Sequence, residues 1–237
     1  MKKKLLALSL VAAMAVGVFA GCSSSEEPAE TTEGTEEGAE ATGEKYIIAT
    51  DTVFPPFEFT NEDGDFVGID VDIINAIAED QGIDVEIQSL GFDAALLAVQ
   101  SGQADGVIAG MSITDERKQS FDFSEPYFDA DVTMAVAKGS DVKSYEDLAG
   151  KTVAVKTATN GADFAKSIAD EYGFTVVEFK DSPTMYQDVI AGNTAACFED
   201  YPVMAYNIQQ GAELEMPEGA TAAGTQYGFA VAKGQNA

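Results

Sequence analysis

The stretch that decides the fold is Gly110 to Ser124, which reads Gly-Met-Ser-Ile-Thr-Asp-Glu-Arg-Lys-Gln-Ser-Phe-Asp-Phe-Ser. It follows an apolar run, residues 106–109, that predicts a buried strand. Thr114 is a suitable helix N-cap, and the acids after it suit a first turn, where the helix dipole favours negative charge. Arg117 is therefore predicted on the first turn of a helix, beside a Gly-x-Ser loop. This arrangement suits a carboxylate, but a surface arginine paired with a neighbouring acid fits this stretch equally well.

Composition excludes several classes of function. The 237 residues carry a net charge of −28, which disfavours binding to nucleic acid or to an anionic membrane surface. The chain has no histidine, so histidine-dependent catalytic triads and histidine-ligated zinc are excluded. Its two cysteines, Cys22 and Cys197, are too few for a paired-cysteine metal cluster. We expect no catalytic residue, no metal and no cofactor, and we expect Cys197 to be a small buried apolar residue.

The N-terminus carries an export signal. Three lysines precede an apolar segment, residues 5–19, that is too short to span a membrane. Small residues before Cys22 resemble a bacterial lipobox, so residues 1–21 are interpreted as a lipoprotein signal peptide and Cys22 as the lipidation site. An ordinary signal peptide followed by an incidental cysteine is the alternative. Residues 22–44 would form an acidic, disordered linker that tethers the protein to the outer face of the membrane.

From residue 45 onward, apolar periodicity alternates between strands and helices, which predicts an α/β fold with mostly parallel sheets covered on both faces. Ligands bind such sheets beyond the carboxyl ends of the strands, and Asp51, Phe92 and Ser112 fall at or just after such ends. The predicted strands are 45–50, 84–88, 105–109, 131–138, 151–156, 175–179, 195–198 and 227–232. The predicted helices are 68–80, 92–102, a short one at 144–150, 162–171 and 182–191, with another after Pro202.

Five motifs in order then resemble a known family. They are Ala49-Thr-Asp-Thr-Val-Phe-Pro-Pro-Phe-Glu-Phe, Gly68-Ile-Asp-Val-Asp, Gly110 to Ser124, Val153-Ala-Val-Lys and Glu199-Asp-Tyr-Pro. From residue 45 to the C-terminus the chain is similar to the bacterial extracellular solute-binding proteins of family 3, which serve polar amino-acid ABC importers, and within them to the glutamine-binding branch. The resemblance implies a type II periplasmic-binding-protein-like fold, in which two α/β lobes joined by two hinge crossings close on a ligand.

The resemblance also implies domain boundaries. Lobe 1 would comprise residues 45–127 and 228–237, lobe 2 residues 131–223, and the hinges residues 127–131 and 223–227. In the family, further helices complete lobe 1, whereas this sequence stops shortly after the second crossing.

The family's motifs assign roles to individual residues. Arg117 would bind the α-carboxylate of an amino acid, assisted by Ser112 and by the backbone of Gly110 and Ser112. Asp200 would receive the α-ammonium group, although position 200 alone would suit a helix cap. Asp51 and Lys156 would hold a side-chain amide, the acid accepting from its NH₂ and the lysine donating to its oxygen.

The remaining candidates surround these charges. Phe54 and Phe92 would enclose the aliphatic part of the ligand, with core packing as the alternative for each. Thr159 and Asn160 belong to the loop after Lys156, where Ala158 and Asn160 replace frequent glycines of the family. Glu199 stands where the glutamine branch tends to have histidine, which would add negative charge near the ligand's side chain.

The resemblance implies a monomeric binding protein, not an enzyme, that delivers glutamine to the transmembrane subunits of an ABC permease. Arginine, cystine, glutamate or histidine are alternative ligands. A secreted cyclohexadienyl dehydratase, acting on prephenate or arogenate with Glu199 as general acid, is the enzymatic alternative. A domain that presents its ligand to a separate receptor is a third.

Overall fold

The computed structural model describes residues 45–235. The predicted signal peptide, Cys22 and the linker lie outside the described residues. The strands are β1 (Lys45–Thr50), β2 (Phe59–Thr60), β3 (Phe66–Val67), β4 (Asp84–Ser89), β5 (Gly106–Val107), β6 (Phe121–Phe123), β7 (Phe128–Ala137), β8 (Thr152–Lys156), β9 (Thr175–Phe179), β10 (Ala196–Asp200), β11 (Leu214–Glu215), β12 (Thr221–Tyr227) and β13 (Ala230–Ala232). The helices are α1 (Ile69–Gln81), α2 (Phe92–Gln100), α3 (Asn160–Tyr172), α4 (Ser182–Ile190) and α5 (Tyr201–Gln209), with 3-10 turns at Arg117–Gln119 and Tyr145–Leu148.

Lobe 1 is built on a five-stranded sheet in the order β4-β1-β5-β13-β6. Strand β1 runs parallel to β4 and β5, whereas β13 runs antiparallel to β5 and β6. Successive side chains of a strand point to opposite faces. Ala49 accordingly packs with α2, and Ile48 packs with Ile74 of α1. The two helices therefore lie on opposite faces of the sheet.

Helix α1 covers its face of lobe 1 only in part. A groove of about 720 Å³ lies beside it, with an almost entirely apolar lining. Tyr46, Ile77 and Ile83, on the rim of this groove, are each more than a third exposed. The sheet of lobe 1 is thus closed on its α2 face and partly open on its α1 face.

Lobe 2 is covered on both faces. Its sheet has the order β11-β7-β10-β8-β9, with β12 added alongside β7. Val153 and Val155 of β8 pack with α3, while Ala154 packs with Met185 of α4. Cys197 lies in the same buried cluster as Ala154, as predicted. This lobe has a continuous hydrophobic core on each side of its sheet.

Strands β7 and β12 connect the lobes as an antiparallel pair, with Tyr227 opposite Phe128. The register shifts between Ala222 and Thr225. Gly224 lies at this irregularity, and a Cβ there would overlap the Ala130 carbonyl group. The two connections therefore touch backbone against backbone, which only glycine permits.

The structure corrects two predictions of local structure. The helix expected from Thr114 is a single 3-10 turn, Arg117–Gln119, because the chain enters β6 at once and pairs with β13. The strand predicted over 227–232 is divided between β12, which pairs with β7, and β13, which joins the sheet of lobe 1. In each of the two large sheets a single strand, β13 in lobe 1 and β7 in lobe 2, runs against all the others, so the prediction of mostly parallel sheets is confirmed. Within residues 45–235, no helix combines the length and apolar character needed to cross a bilayer.

Candidate functional site

A small cavity lies between the two lobes, at the carboxyl ends of β1 and β8 and at the start of α3. Its lining residues are Phe54, Phe92, Ala109, Gly110, Ser112, Arg117, Lys156, Thr159, Asn160 and Asp200. Nine of these are among the eleven binding residues predicted from the sequence. The cavity measures only about 10 Å³, roughly enough for one water molecule. A ligand of amino-acid size therefore requires the lobes to move apart.

Arg117 reaches across the cleft from lobe 1. Its Nη1 donates to the Ser112 carbonyl at 2.8 Å, and its Nη2 donates to the Ala158 carbonyl of lobe 2 at 2.8 Å. The guanidinium carbon lies 5.3 Å from the centre of the Phe92 ring. Burial lowers the pKa of Arg117 and attraction to Asp200 opposes the shift, so the group stays charged at neutral pH. Arg117 thus has backbone and aromatic contacts, and its charge remains available for an anion.

The start of α3 faces Arg117. Thr159 caps this helix, since its hydroxyl accepts from Ala162 N at 3.2 Å and donates to the Lys156 carbonyl at 2.8 Å. Ala158, just before the cap, has a left-handed backbone with φ of 64°, which is uncommon outside glycine. The N–H groups of a helix start attract negative charge. Together with Arg117, this helix start can hold a carboxylate.

Asp200 provides the acidic side of the cavity. It occupies the N-cap position of α5, yet its side chain makes no capping bond and instead accepts from the Tyr227 hydroxyl. Burial raises the pKa of Asp200 to about 7, with Glu199 adding to the shift, while Tyr227 and Arg117 oppose it. A buried carboxylate held this way gains from a cationic partner.

Asp51 and Lys156 form a buried ion pair across the cleft, each side chain being 2% exposed. The Lys156 ammonium lies 4.6 Å from the Phe54 ring centre and 5.7 Å from that of Phe92. Burial alone would lower the pKa of Lys156, but the attraction of Asp51 and then Glu199 outweighs it, so the pKa lies above its ordinary value. Asp51 contacts the cavity through Lys156, and the pair as a whole is neutral.

Glu199 is buried behind the cavity and is not part of its lining. Its carboxylate accepts from the Ser182 hydroxyl at 2.7 Å, the Tyr186 hydroxyl at 2.8 Å and Asp200 N at 3.0 Å. Glu199 therefore acts on the site through its charge, which raises the pKa of Asp200 and attracts Lys156.

The sequence analysis did not assign roles to Tyr227, to the Ala158 carbonyl or to Asp70. Asp70 accepts from Gly110 N at 2.7 Å, so this N–H group, which the sequence offered to a carboxylate, is already engaged. Asp70 lies in a motif quoted above, but there it looks like an ordinary first-turn acid. Position 227 carried no local signal for a contact with Asp200.

Comparisons with known proteins identify a family. The model of the family described as "Bacterial extracellular solute-binding proteins, family 3" matches residues 46–196. The arginine-binding extracellular protein ArtP of Bacillus subtilis is 33% identical over 207 residues, which make up 87% of this chain and 76% of ArtP.

Solved structures also match. Two are described as an ancestral arginine-binding protein. The arginine-bound one has 38% identity and a TM-score of 0.75 over 80% of this chain and 85% of its own. The glutamine-bound one has 40% identity and a TM-score of 0.74 over 80% and 84%. The second substrate-binding domain of Lactococcus lactis GlnP, in an open conformation, has 46% identity but a TM-score of 0.56 over 82% and 84%. The lobes are thus arranged more as in the ligand-bound structures than as in the open one.

Proposed function

Since this chain belongs to the bacterial extracellular solute-binding proteins of family 3, we propose that it captures a free polar amino acid between its lobes for an ABC importer, and that glutamine is the ligand. The observation that supports this most is that Arg117 of lobe 1 and Asp200 of lobe 2 line the same cavity. A free amino acid has a carboxylate and an ammonium group on one carbon. Two opposite charges that meet the ligand from the two lobes are complementary to that zwitterion.

The contacts suggest which group holds which end. We assign the ligand carboxylate to Arg117, to the start of α3 and to the backbone N–H of Ser112. The ammonium goes to Asp200. Because Asp70 already engages Gly110 N, the Gly110 carbonyl is the group that this residue offers to the ammonium.

The Asp51–Lys156 pair favours glutamine over a charged side chain. A carboxamide needs one acceptor and one donor, and the pair presents both once the lobes separate. An arginine or lysine ligand would face the ammonium of Lys156, and glutamate would face Asp51. Arginine remains the second candidate because ArtP and the ancestral proteins are described as arginine-binding. Cystine and histidine follow, from relatives described as binding them.

An enzymatic role has less support. The dehydratase alternative needs Glu199 as a general acid at the ligand, but Glu199 already accepts three hydrogen bonds and does not line the cavity. ArtP and the matching structures are described as binding proteins. Binding without turnover is the role that fits.

The remaining assignments concern location. We propose that Cys22 is lipidated, that the protein is anchored to the outer face of the cell membrane, and that it meets the permease as a monomer. Metabolic labelling with palmitate tests the anchor. Label on the wild type and none on Cys22→Ala is expected, and equal labelling would contradict the assignment.

A thermal-shift screen against the twenty amino acids, followed by calorimetry, tests the ligand. Binding to the folded state stabilises it by about 2.7 kcal/mol at 100 times the dissociation constant, so glutamine should give the largest shift. A glutamine analogue without the α-ammonium group is the matched control and should give only a small thermal shift. A larger shift with arginine would change the ligand, and no shift with any amino acid would contradict the proposed function.

A further inference from the structure

Two carboxyl groups lie buried side by side behind the cavity, in lobe 1. Glu58, just before β2, and Asp70, in the first turn of α1, are both fully buried. The backbone brings them together, because Asp70 N donates to the Phe57 carbonyl at 2.9 Å. A Cβ at Gly68 would overlap that same carbonyl. The close approach of α1 to residues 57–58 therefore fixes the two acids next to each other.

Most of their oxygens have no partner among the described residues. Both oxygens of Glu58 and Oδ1 of Asp70 are buried without a hydrogen bond. Oδ2 of Asp70, by contrast, accepts from Gly110 N at 2.7 Å and from the Tyr127 hydroxyl at 3.0 Å. Unpaired buried oxygens are costly, and two adjacent buried negative charges are more so.

One proton resolves this arrangement. A protonated Glu58 can donate to Asp70 Oδ1, which gives a partner to one orphaned oxygen on each residue and removes one of the two charges. Burial raises the pKa of Glu58 well above its usual range, and the charge of Asp70 adds to the effect. Burial also raises the pKa of Asp70 to about 6, but the bonds from Gly110 and Tyr127 oppose this shift. The proton therefore belongs on Glu58 and the negative charge on Asp70.

We propose that Glu58 and Asp70 share one proton and that the protonated pair positions the Gly110 backbone in the wall of the binding cavity. Gly110 has a left-handed backbone with φ of 51°, and a Cβ there would meet the Phe54 ring. Its peptide orientation thus depends on Asp70 accepting its N–H. Ionisation of Glu58 would place a second charge against Asp70 and disturb that bond.

The charged and titratable groups around the pair are few. Asp51, after β1, disfavours the charge on Glu58, whereas Lys156, at the end of β8, favours it. Asp51 and Lys156 pair with each other, so their effects on Glu58 largely offset. On the other side, Tyr127 donates to Asp70. The adjacent carboxyl of Asp70 therefore remains the main electrostatic influence on Glu58.

The test is the pH dependence of unfolding by urea, without ligand, from about pH 5 to pH 8. Glu58 has a raised pKa in the folded state, so its contribution to stability is present at low pH and is lost as the pH rises. This group alone should raise the unfolding equilibrium constant about tenfold per pH unit. Glu58→Gln is isosteric and never ionises. A plot of the logarithm of its unfolding equilibrium constant against pH should therefore rise less steeply than that of the wild type, by up to about one unit per pH unit. Exposed Glu62→Gln is the control and should match the wild type.

An equal pH dependence of unfolding in the wild type and Glu58→Gln would contradict the proposal that Glu58 and Asp70 share a proton. Asp70→Asn is an independent variant, because its amide oxygen can accept from Gly110 and Tyr127 while its NH₂ donates to an ionised Glu58. The pH dependence of unfolding of Asp70→Asn should be reduced by the same amount as that of Glu58→Gln.

The positioning role rests on the proposed function and has its own measurement. The affinity for glutamine, or for arginine if that is the ligand, is measured by calorimetry across the same pH range. Wild-type affinity should fall relative to that of Glu58→Gln as the pH rises, and a constant ratio would overturn the coupling. If no amino acid binds, the proposed function fails, yet the ligand-free unfolding experiment still decides the shared proton.

Discussion

The two cations that line the cavity, Arg117 and Lys156, are held in different ways. Arg117 is held by two backbone carbonyls and an aromatic ring, and it forms no salt bridge within the described part of the chain. Lys156 is buried against the carboxylate of Asp51. The charge of Arg117 is therefore free to bind an anion, whereas that of Lys156 is neutralised by Asp51. Under the proposed function, Arg117 therefore requires a charged group on the ligand, whereas the Asp51–Lys156 pair selects a neutral polar group.

Arg117→Ala should have the largest effect, because it removes the cation that we assign to the carboxylate of the ligand. Stripping one partner from a buried charged hydrogen bond costs about 2–5 kcal/mol, and the loss should be similar for all ligands that bind. Calorimetry measures it, with Lys118→Ala as the matched control, since Lys118 is exposed and pairs with Asp115. Unchanged affinity in Arg117→Ala would refute the assignment of the carboxylate end.

Lys156→Met should change selectivity more than it changes overall binding. It removes the ammonium group that pairs with Asp51, so a cationic ligand side chain can take the place of that group. We expect the binding free energy of arginine to improve relative to that of glutamine by about 2–3 kcal/mol, the scale of a buried charged contact. Competition calorimetry with both amino acids measures this preference. Asp51→Asn should shift the preference towards glutamine. An unchanged preference in both variants would contradict the assignment of this pair to the ligand side chain.

Asp200 gives the carboxylate–ammonium end a pH dependence. Its pKa of about 7 means that, below pH 7, the acid must release a proton before it can accept the ligand ammonium. Affinity should therefore fall by about tenfold per pH unit below that point. The same raised pKa makes the ligand-free protein lose stability as the pH rises from about 4 to 7. Calorimetry in a pH series measures the fall in affinity. Asp200→Asn should bind the ligand more weakly, and its affinity should no longer depend on pH in this range.

The rim of the cleft should contribute least. Lys180 of lobe 2 pairs with Asp93 of lobe 1, but the lysine side chain is 74% exposed. Exposed pairs contribute about 1 kcal/mol or less and are screened by salt. Lys180→Ala should weaken binding slightly at low salt and not at all at high salt. A large loss that persists in high salt would show that this pair takes part in closing the lobes.

Sequence reasoning succeeded where the signal is local or belongs to a short motif. The bounds of β1 and the stop of α1 at Gly82, which is left-handed, follow from periodicity and glycine alone. The helix expected at Thr114 failed because pairing of β6 with β13, more than a hundred residues later, outweighs a local capping signal.

The interior of the site was only partly predictable for the same reason. Nothing near position 70 indicates a bond to Gly110, and nothing near position 227 indicates one to Asp200. Both contacts form only when distant segments fold together. The difference between the two cations was hidden too, since it depends on which partners lie within reach of each.

The position of β13 also sets an order of folding. This strand lies between β5 and β6 in the sheet of lobe 1, yet its partner residues Ala230 and Val107 are about 120 residues apart in sequence. The strands of lobe 2, by contrast, all lie in one uninterrupted segment, residues 128–227, that precedes β13. Contacts between distant segments form slowly, and lobe 1 cannot complete its sheet until β13 has been synthesised. We expect lobe 2 to fold first and lobe 1 to wait as a partly exposed sheet, the state in which the exported chain is most vulnerable to proteases.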